Sequence, residues 1–275
     1  MTVSQIIRSK GMYGEVKDVT TISPSMVRIV LGGNGLEDFS PTDFTDQYIN
    51  AYFIPEKASY EPPFNLEEAR SLGDEQRPRP RRFTVRRWKP DTRELTIDFV
   101  THGDQGYAGT WAQRAQVGDL LQFKGPNGSY KPDVGADWHL LAGDESALSA
   151  ISASVESIPD DKPCLVFLIV DGPENRIDFT ASPQHQIIWI YRSAVPDPES
   201  ALLEAIKSHS FPDGEFDIFI HGEAGEVRNI RKYLILNYEI NIESSSISPY
   251  WRRDHTDEAW RSIKKQWLAD QEMDT

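Results

Sequence analysis

The stretch Arg77 to Trp88, RPRPRRFTVRRW, sets six arginines around a short run of strand-forming residues. A guanidinium is a planar fork of donors that matches phosphate bidentately, so the cluster is a candidate anion site. The same pattern also suits an edge strand whose charges discourage pairing with another chain. Two further stretches could do chemistry. GDES (Gly143–Ser146) and HGEAGE (His221–Glu226) each follow an apolar run and open a helical pattern. Their free N–H groups would suit a phosphate or a ribose, although Asp144 or Ser146 could equally be an ordinary helix cap. A second basic cluster is formed by YWRRDH and the following RSIKKQW.

Charge decides how these clusters are read. Lys plus Arg number 29 against 43 Asp plus Glu, a formal charge of −14, which argues against nucleic acid as a bulk partner. An anionic ligand must therefore be met by a local basic patch. The single cysteine, Cys164, lies inside CLVFLIV and reads as a small buried hydrophobe. One thiol excludes a disulfide framework, a cysteine-type zinc site and an iron–sulfur cluster. The six histidines show neither H-x-x-E-H nor H-E-x-x-H spacing, so no bound metal is expected. No run approaches a membrane span and the opening residues lack the apolar core of a signal peptide. A cytoplasmic address and a monomer are the expectations.

The elements that must position these residues fall into two textures. SMVRIVLGG, QYINAYFIP, RRFTVRRW, ELTIDFVTH and DLLQFKGP are short period-2 runs, the signature of a small antiparallel barrel or sandwich. A polar, Pro-rich insertion from Glu56 to Arg81 interrupts them, with a helical turn or two at FNLEEARSL; a loop this long is functional or mobile. From about Trp138 apolar strands alternate with helical patterns, which means βαβ units around a parallel sheet. DEAWRSIKKQWLADQ reads as a last amphipathic helix with Trp260 and Trp267 packing inward. No G-x-G-x-x-G follows a strand, so the ordinary dinucleotide fingerprint is absent.

Five blocks in order, RRFTVR, DFVTHGDQGYAGTWA, LLAGDESALSAI, HGEAGEVRNIRKYL and SPYWRRDHTDEAWRSIKKQW, together resemble the siderophore-interacting protein family, FAD-containing ferric-siderophore reductases built on the ferredoxin-reductase plan. The resemblance implies a six-stranded antiparallel flavin-binding barrel over residues 1–133. It implies an α/β domain of the NAD(P)H-binding kind with a C-terminal helix over residues 134–275. It places Arg81 at the FAD pyrophosphate, Phe83 against the cofactor and Thr84 near the isoalloxazine edge. Further FAD contacts are implied for Val85, Asp98, Val100, His102, Gly103, Gly106, Ala108 and Thr110. Phe83 stands where the family has Tyr, and Gly109 where it has Ser, so two hydroxyl contacts are lost, one of which Thr110 could supply.

The resemblance further implies that NADH or NADPH lies along Asp144, Ser146, Ala147, Glu223 and Ala224, unless reduced ferredoxin is the donor. Flavin accepts electrons in a pair and passes them singly, and reduction to Fe²⁺ weakens the hard oxygen ligands of a chelator. Arg252, Arg253 and Lys264 match the family's substrate-binding basic residues, while Asp254 and Asn50 stand where Gly and Lys are usual. The alternatives are a general flavin or ferredoxin-type reductase with another acceptor, or a siderophore-binding flavoprotein without turnover.

Overall fold

The computed structural model describes residues 11–101, 106–238, 240 and 242–272. Contacts divide the chain into two units, one ending at Ser129 and the other beginning at Tyr130. In the first, six antiparallel strands close into a barrel: β1 (Met12–Ser23), β2 (Met26–Gly32), β3 (Tyr48–Phe53), β4 (Arg79–Lys89), β5 (Glu94–Val100) and β6 (Leu120–Asn127). Their order is β1-β2-β5-β4-β3-β6. Alternation drives the closure. Ile29 and Leu31, Ile49, Ala51 and Phe53, Leu95, Ile97 and Phe99, and Leu121 and Phe123 are all buried in one core, because successive strand residues point to opposite faces. β1 lies outside the five periodic runs of the sequence, since only Gly14, Val16 and Ser23 of its twelve residues are buried.

The Pro-rich insertion is folded. Helix α1 (Leu66–Ser71) starts at Asn65, whose side chain accepts from the Glu67 and Glu68 amides. Leu66 and Ala69 pack with Tyr52 and Phe64. The buried Gln122 side chain clamps the segment in both directions, accepting from the Phe64 amide and donating to its carbonyl, each at 2.8 Å. Helix α2 (Tyr107–Arg114) lies between β5 and β6 in sequence.

The second unit is a five-stranded parallel sheet: β7 (Trp138–Gly143), β8 (Cys164–Val170), β9 (His185–Tyr191), β10 (Phe216–Glu223) and β11 (Ser246–Trp251), in the order β11-β10-β7-β8-β9. Its helices are α3 (Leu148–Val155), α4 (Ala201–Lys207), α5 (Ala224–Asn237) and α6 (Asp257–Glu272). All seven residues of β8 are buried, as expected of a strand covered on both faces. Leu202 and Ile206 of α4 and Ile230 and Leu234 of α5 pack against Leu140, Phe167 and Ile218. Trp260 and Trp267 of α6 do pack inward, against Ala224. The winding reverses between β7 and β10, which are paired neighbours; in open parallel sheets that is where a ligand crevice forms, beyond the carboxyl ends of the strands.

Candidate functional site

In the barrel unit the candidate residues meet where β4 approaches the start of α2. Alternation along β4 puts Arg81, Phe83 and Val85 on one face and Thr84 on the other. Val85 lies in the barrel core, and Phe83 packs on its edge, 4.4 Å from Phe99 and 6.0 Å from Phe53 between ring centroids. The guanidinium carbons of Arg79 and Arg81 lie 5.7 and 5.8 Å from the centre of the Tyr107 ring, the first residue of α2. Gly106 precedes that helix with φ of +79° and no side-chain cap, and nothing lies within 4 Å of where a Cβ would sit. Thr110 donates to the Gly106 carbonyl at 2.7 Å, leaving its oxygen as an acceptor. Uncapped amides at a helix start beside two guanidinium groups form a donor set that fits a diphosphate. Ala108 sits in the first turn of α2.

Asp98 is held elsewhere: its buried carboxylate takes a two-pronged contact from Arg28 at 2.7 and 2.8 Å. Val100 ends β5 half-buried. His102 and Gly103 lie outside the described residues.

In the sheet unit GDES and HGE come together at the β7/β10 reversal. Asp144 Oδ1 accepts from the amide and hydroxyl of Ser146, and Oδ2 accepts from the Glu223 amide at 2.8 Å and from the Trp251 indole at 2.7 Å. Glu223 caps α5, Oε2 taking the Gly225 and Glu226 amides, while Oε1 takes the Arg253 amide. Both carboxylates thus serve as internal staples. A Cβ on Gly143 would fall 2.4 Å from the His221 carbonyl oxygen, and Gly222 has φ of +147°; the crevice floor is bare backbone because no side chain fits. Ala147 and Ala224 are fully buried at the two helix starts.

Around this floor the charges are crowded. Arg192 bridges Glu145 at 2.7 Å and Asp171 at 3.1 Å. Burial pushes the Glu145 carboxyl above its ordinary range in spite of that contact. Burial, with Asp144 adding repulsion, raises Glu226 to about 8; its Oε2 has no hydrogen-bond partner. Burial, aided by Lys264, takes His221 down to about 3.

The three expected substrate residues have different surroundings. Arg253 is tied to Glu199 at 2.5 Å and Glu226 at 3.2 Å. Lys264 donates to the Pro249 carbonyl at 2.6 Å and lies over Trp260. Arg252, half-exposed, forms no ion pair among the described residues. Sequence reasoning passed over Arg79, Tyr107, Trp251 and the Arg192 network; only Arg79 carried a signal, its place inside the arginine cluster. Among the described residues no group of three or more His, Cys, Asp or Glu could hold a metal ion, and no helix is long and apolar enough to cross a membrane.

A closed antiparallel barrel followed by a parallel sheet of this order defines the ferredoxin-reductase class of flavoprotein folds. A ferredoxin reductase of carbazole 1,9a-dioxygenase shares that fold at a TM-score of 0.61 and 15% identity, over 87% of this chain and 67% of that one. Residues 15–130 match the siderophore-interacting FAD-binding domain, and residues 136–254 match the siderophore-interacting protein model. The chain belongs to the siderophore-interacting protein family. It is 36% identical over 245 residues to ferric vibriobactin reductase ViuB of Vibrio cholerae, covering 87% of this chain and 88% of the relative. It is 30% identical over 217 residues to the NADPH-dependent ferric-chelate reductase of Escherichia coli, covering 78% and 82%. The crystal structure of the siderophore-interacting protein SipS from Aeromonas hydrophila superposes with a TM-score of 0.81 at 26% identity, over 95% of this chain and 99% of that one.

Proposed function

We propose that the protein is an FAD-dependent reductase of ferric siderophores that takes its electrons from NADH or NADPH. The observation that carries this reading is the donor set of the barrel unit, two guanidinium groups beside the uncapped start of α2, in a chain similar to two named ferric-chelate reductases. When bound, FAD would supply the conversion of a two-electron donor into one-electron delivery to Fe³⁺. The chain's own residues hold and orient. Arg81, with Arg79, would carry the pyrophosphate together with the amides after Gly106. Phe83 would offer its half-buried ring to the isoalloxazine, Thr84 a hydroxyl at its edge, and Val85 and Val100 backbone groups. Asp98 would act by fixing β2 to β5 through Arg28.

In the sheet unit the nicotinamide nucleotide would lie on the bare floor at Gly143 and Gly222, shaped by Asp144, Ser146, Ala147, Glu223 and Ala224. Arg252 would meet the anionic chelate, Arg253 and Lys264 supporting the segment that presents it. The ferric chelate is the substrate and needs no protein ligand to iron: gaining an electron loosens its oxygen donors. The test is anaerobic mixing of the flavin-loaded protein with NADH, NADPH or reduced ferredoxin while flavin absorbance is followed, then addition of a ferric siderophore with an Fe²⁺ trap. Bleaching by a nicotinamide donor and reoxidation with trapped Fe²⁺ are expected. Reduced protein that the ferric siderophore reoxidises no faster than free reduced flavin would remove the reading.

A further inference from the structure

In a dinucleotide crevice at the β7/β10 reversal, the adenosine half runs along the strand ends on the β8 and β9 side of the sheet. The two arginines of that side differ in their partners. Arg192 follows β9 and is bridged to Glu145 and Asp171. Arg176, on the exposed loop after β8, has no carboxylate partner among the described residues. Its guanidinium carbon lies 5.1 Å from the centre of the Trp189 ring, and Nη1 lies 3.5 Å from the Tyr191 hydroxyl. Trp189 and Tyr191 alternate onto one face of β9, the edge strand, and both are half-exposed.

The contact with the indole uses no N–H of the guanidinium and Tyr191 takes only Nη1, so Nε and Nη2 make no hydrogen bond among the described residues and keep their donors for a ligand. Such a fork matches a phosphate monoester, and the neighbouring aromatic faces match a purine. We propose that Arg176, positioned by Trp189 and Tyr191, receives the 2′-phosphate of the donor's adenosine and makes NADPH the preferred donor. The inference rests on the reading of the sheet unit as the nicotinamide nucleotide site.

The loop also carries Asp171, Glu174 and Asp178. Asp171, at the strand end where a carboxylate would favour an unphosphorylated ribose, is already bridged by Arg192. Glu174 folds over Gly172, its carboxylate oxygens 2.5 and 2.7 Å from where a Cβ would sit. These charges oppose a phosphate through solvent, where screening weakens them, whereas the fork acts at contact. The net preference should therefore be about tenfold rather than the several hundredfold of an unopposed site.

Calorimetric titration of the flavin-loaded protein with adenosine 2′,5′-bisphosphate and with 5′-ADP reads this directly, without any turnover. The bisphosphate should bind about tenfold more tightly, and Arg176→Ala should erase the difference while leaving 5′-ADP affinity unchanged. In parallel, NADPH should reduce the flavin at lower concentration than NADH, and Arg176→Ala should bring the two together. Equal binding of both nucleotides by the wild-type protein, or loss of the preference in Arg192→Ala but not in Arg176→Ala, would overturn the assignment. Protein reduced with dithionite separates the two layers: if it still reduces a ferric siderophore while the bisphosphate shows no preference, the reductase reading stands and the Arg176 assignment falls.

Discussion

At the scale of single residues, the two units use charge in opposite ways. The barrel sets two guanidinium groups beside a helix start that carries no side-chain cap, whereas in the sheet unit Glu223 caps α5 with its own carboxylate and Asp144 holds the turn before α3. Arg81→Ala should therefore lower FAD affinity by on the order of 2 kcal/mol, the scale of a charge-assisted hydrogen bond, measured as flavin retained through gel filtration; full retention would contradict the placement. Glu226 gives a pH prediction. Its folded value of about 8 lies above the roughly 4.3 of an unfolded glutamate, so the folded state holds the proton more tightly. That contribution is present below the unfolded value and is lost as pH rises through about 8. Relative to wild type, Glu226→Gln should gain melting temperature as pH rises from about 5 to about 8 and hold that gain above it, and a constant difference across this range would remove burial as the cause. Of the candidate site, the arginine cluster could be read because positive charge stands out against a −14 background, and the two acidic turns because each follows an apolar run and opens a helical pattern. What Asp144 and Arg253 touch could not, since their partners, Trp251, Glu199 and Glu226, lie in other elements.

At the scale of elements, legibility followed periodicity. Strands with a clean inward row, such as β5, and the fully apolar β8 could be read directly. β1 and β11 could not: the first alternates poorly, and the second, SISPYW, contains serine and proline and is buried only at Pro249. The helical turn of the Pro-rich insertion could be read, but not what fastens the segment, because that group, Gln122, sits 58 residues from Phe64. Gln122→Ala should free the insertion and shorten its protection from protease, with the barrel core retained; unchanged cleavage between β3 and β4 would contradict the clamp. Gly143→Ala tests the other unit. With 2.4 Å to the His221 carbonyl oxygen, β7 and β10 must separate, and a loss of about 2–3 kcal/mol in unfolding free energy is expected.

At the scale of the whole molecule, a charge of −14 repels an anionic chelate, and at 0.1 M salt that repulsion acts only within about 10 Å. Arg252, which has no ion pair among the described residues, would reverse that at contact if it meets the chelate as proposed. Arg252→Glu should raise KM for an anionic ferric siderophore severalfold and leave a neutral ferric chelate and flavin reduction by the donor unchanged; equal effects on both chelates would make the residue structural. Among the described residues the closed barrel has no unpaired strand edge, whereas one edge of the parallel sheet is β9, HQIIWIY, which pairs there only with β8. When the protein is warmed, the self-association that leads to insoluble material should therefore start from the second unit, template-fashion along β9. Gln186, exposed on that strand, is the place to interrupt it, and Gln186→Lys should slow the growth of light scattering without moving the unfolding midpoint.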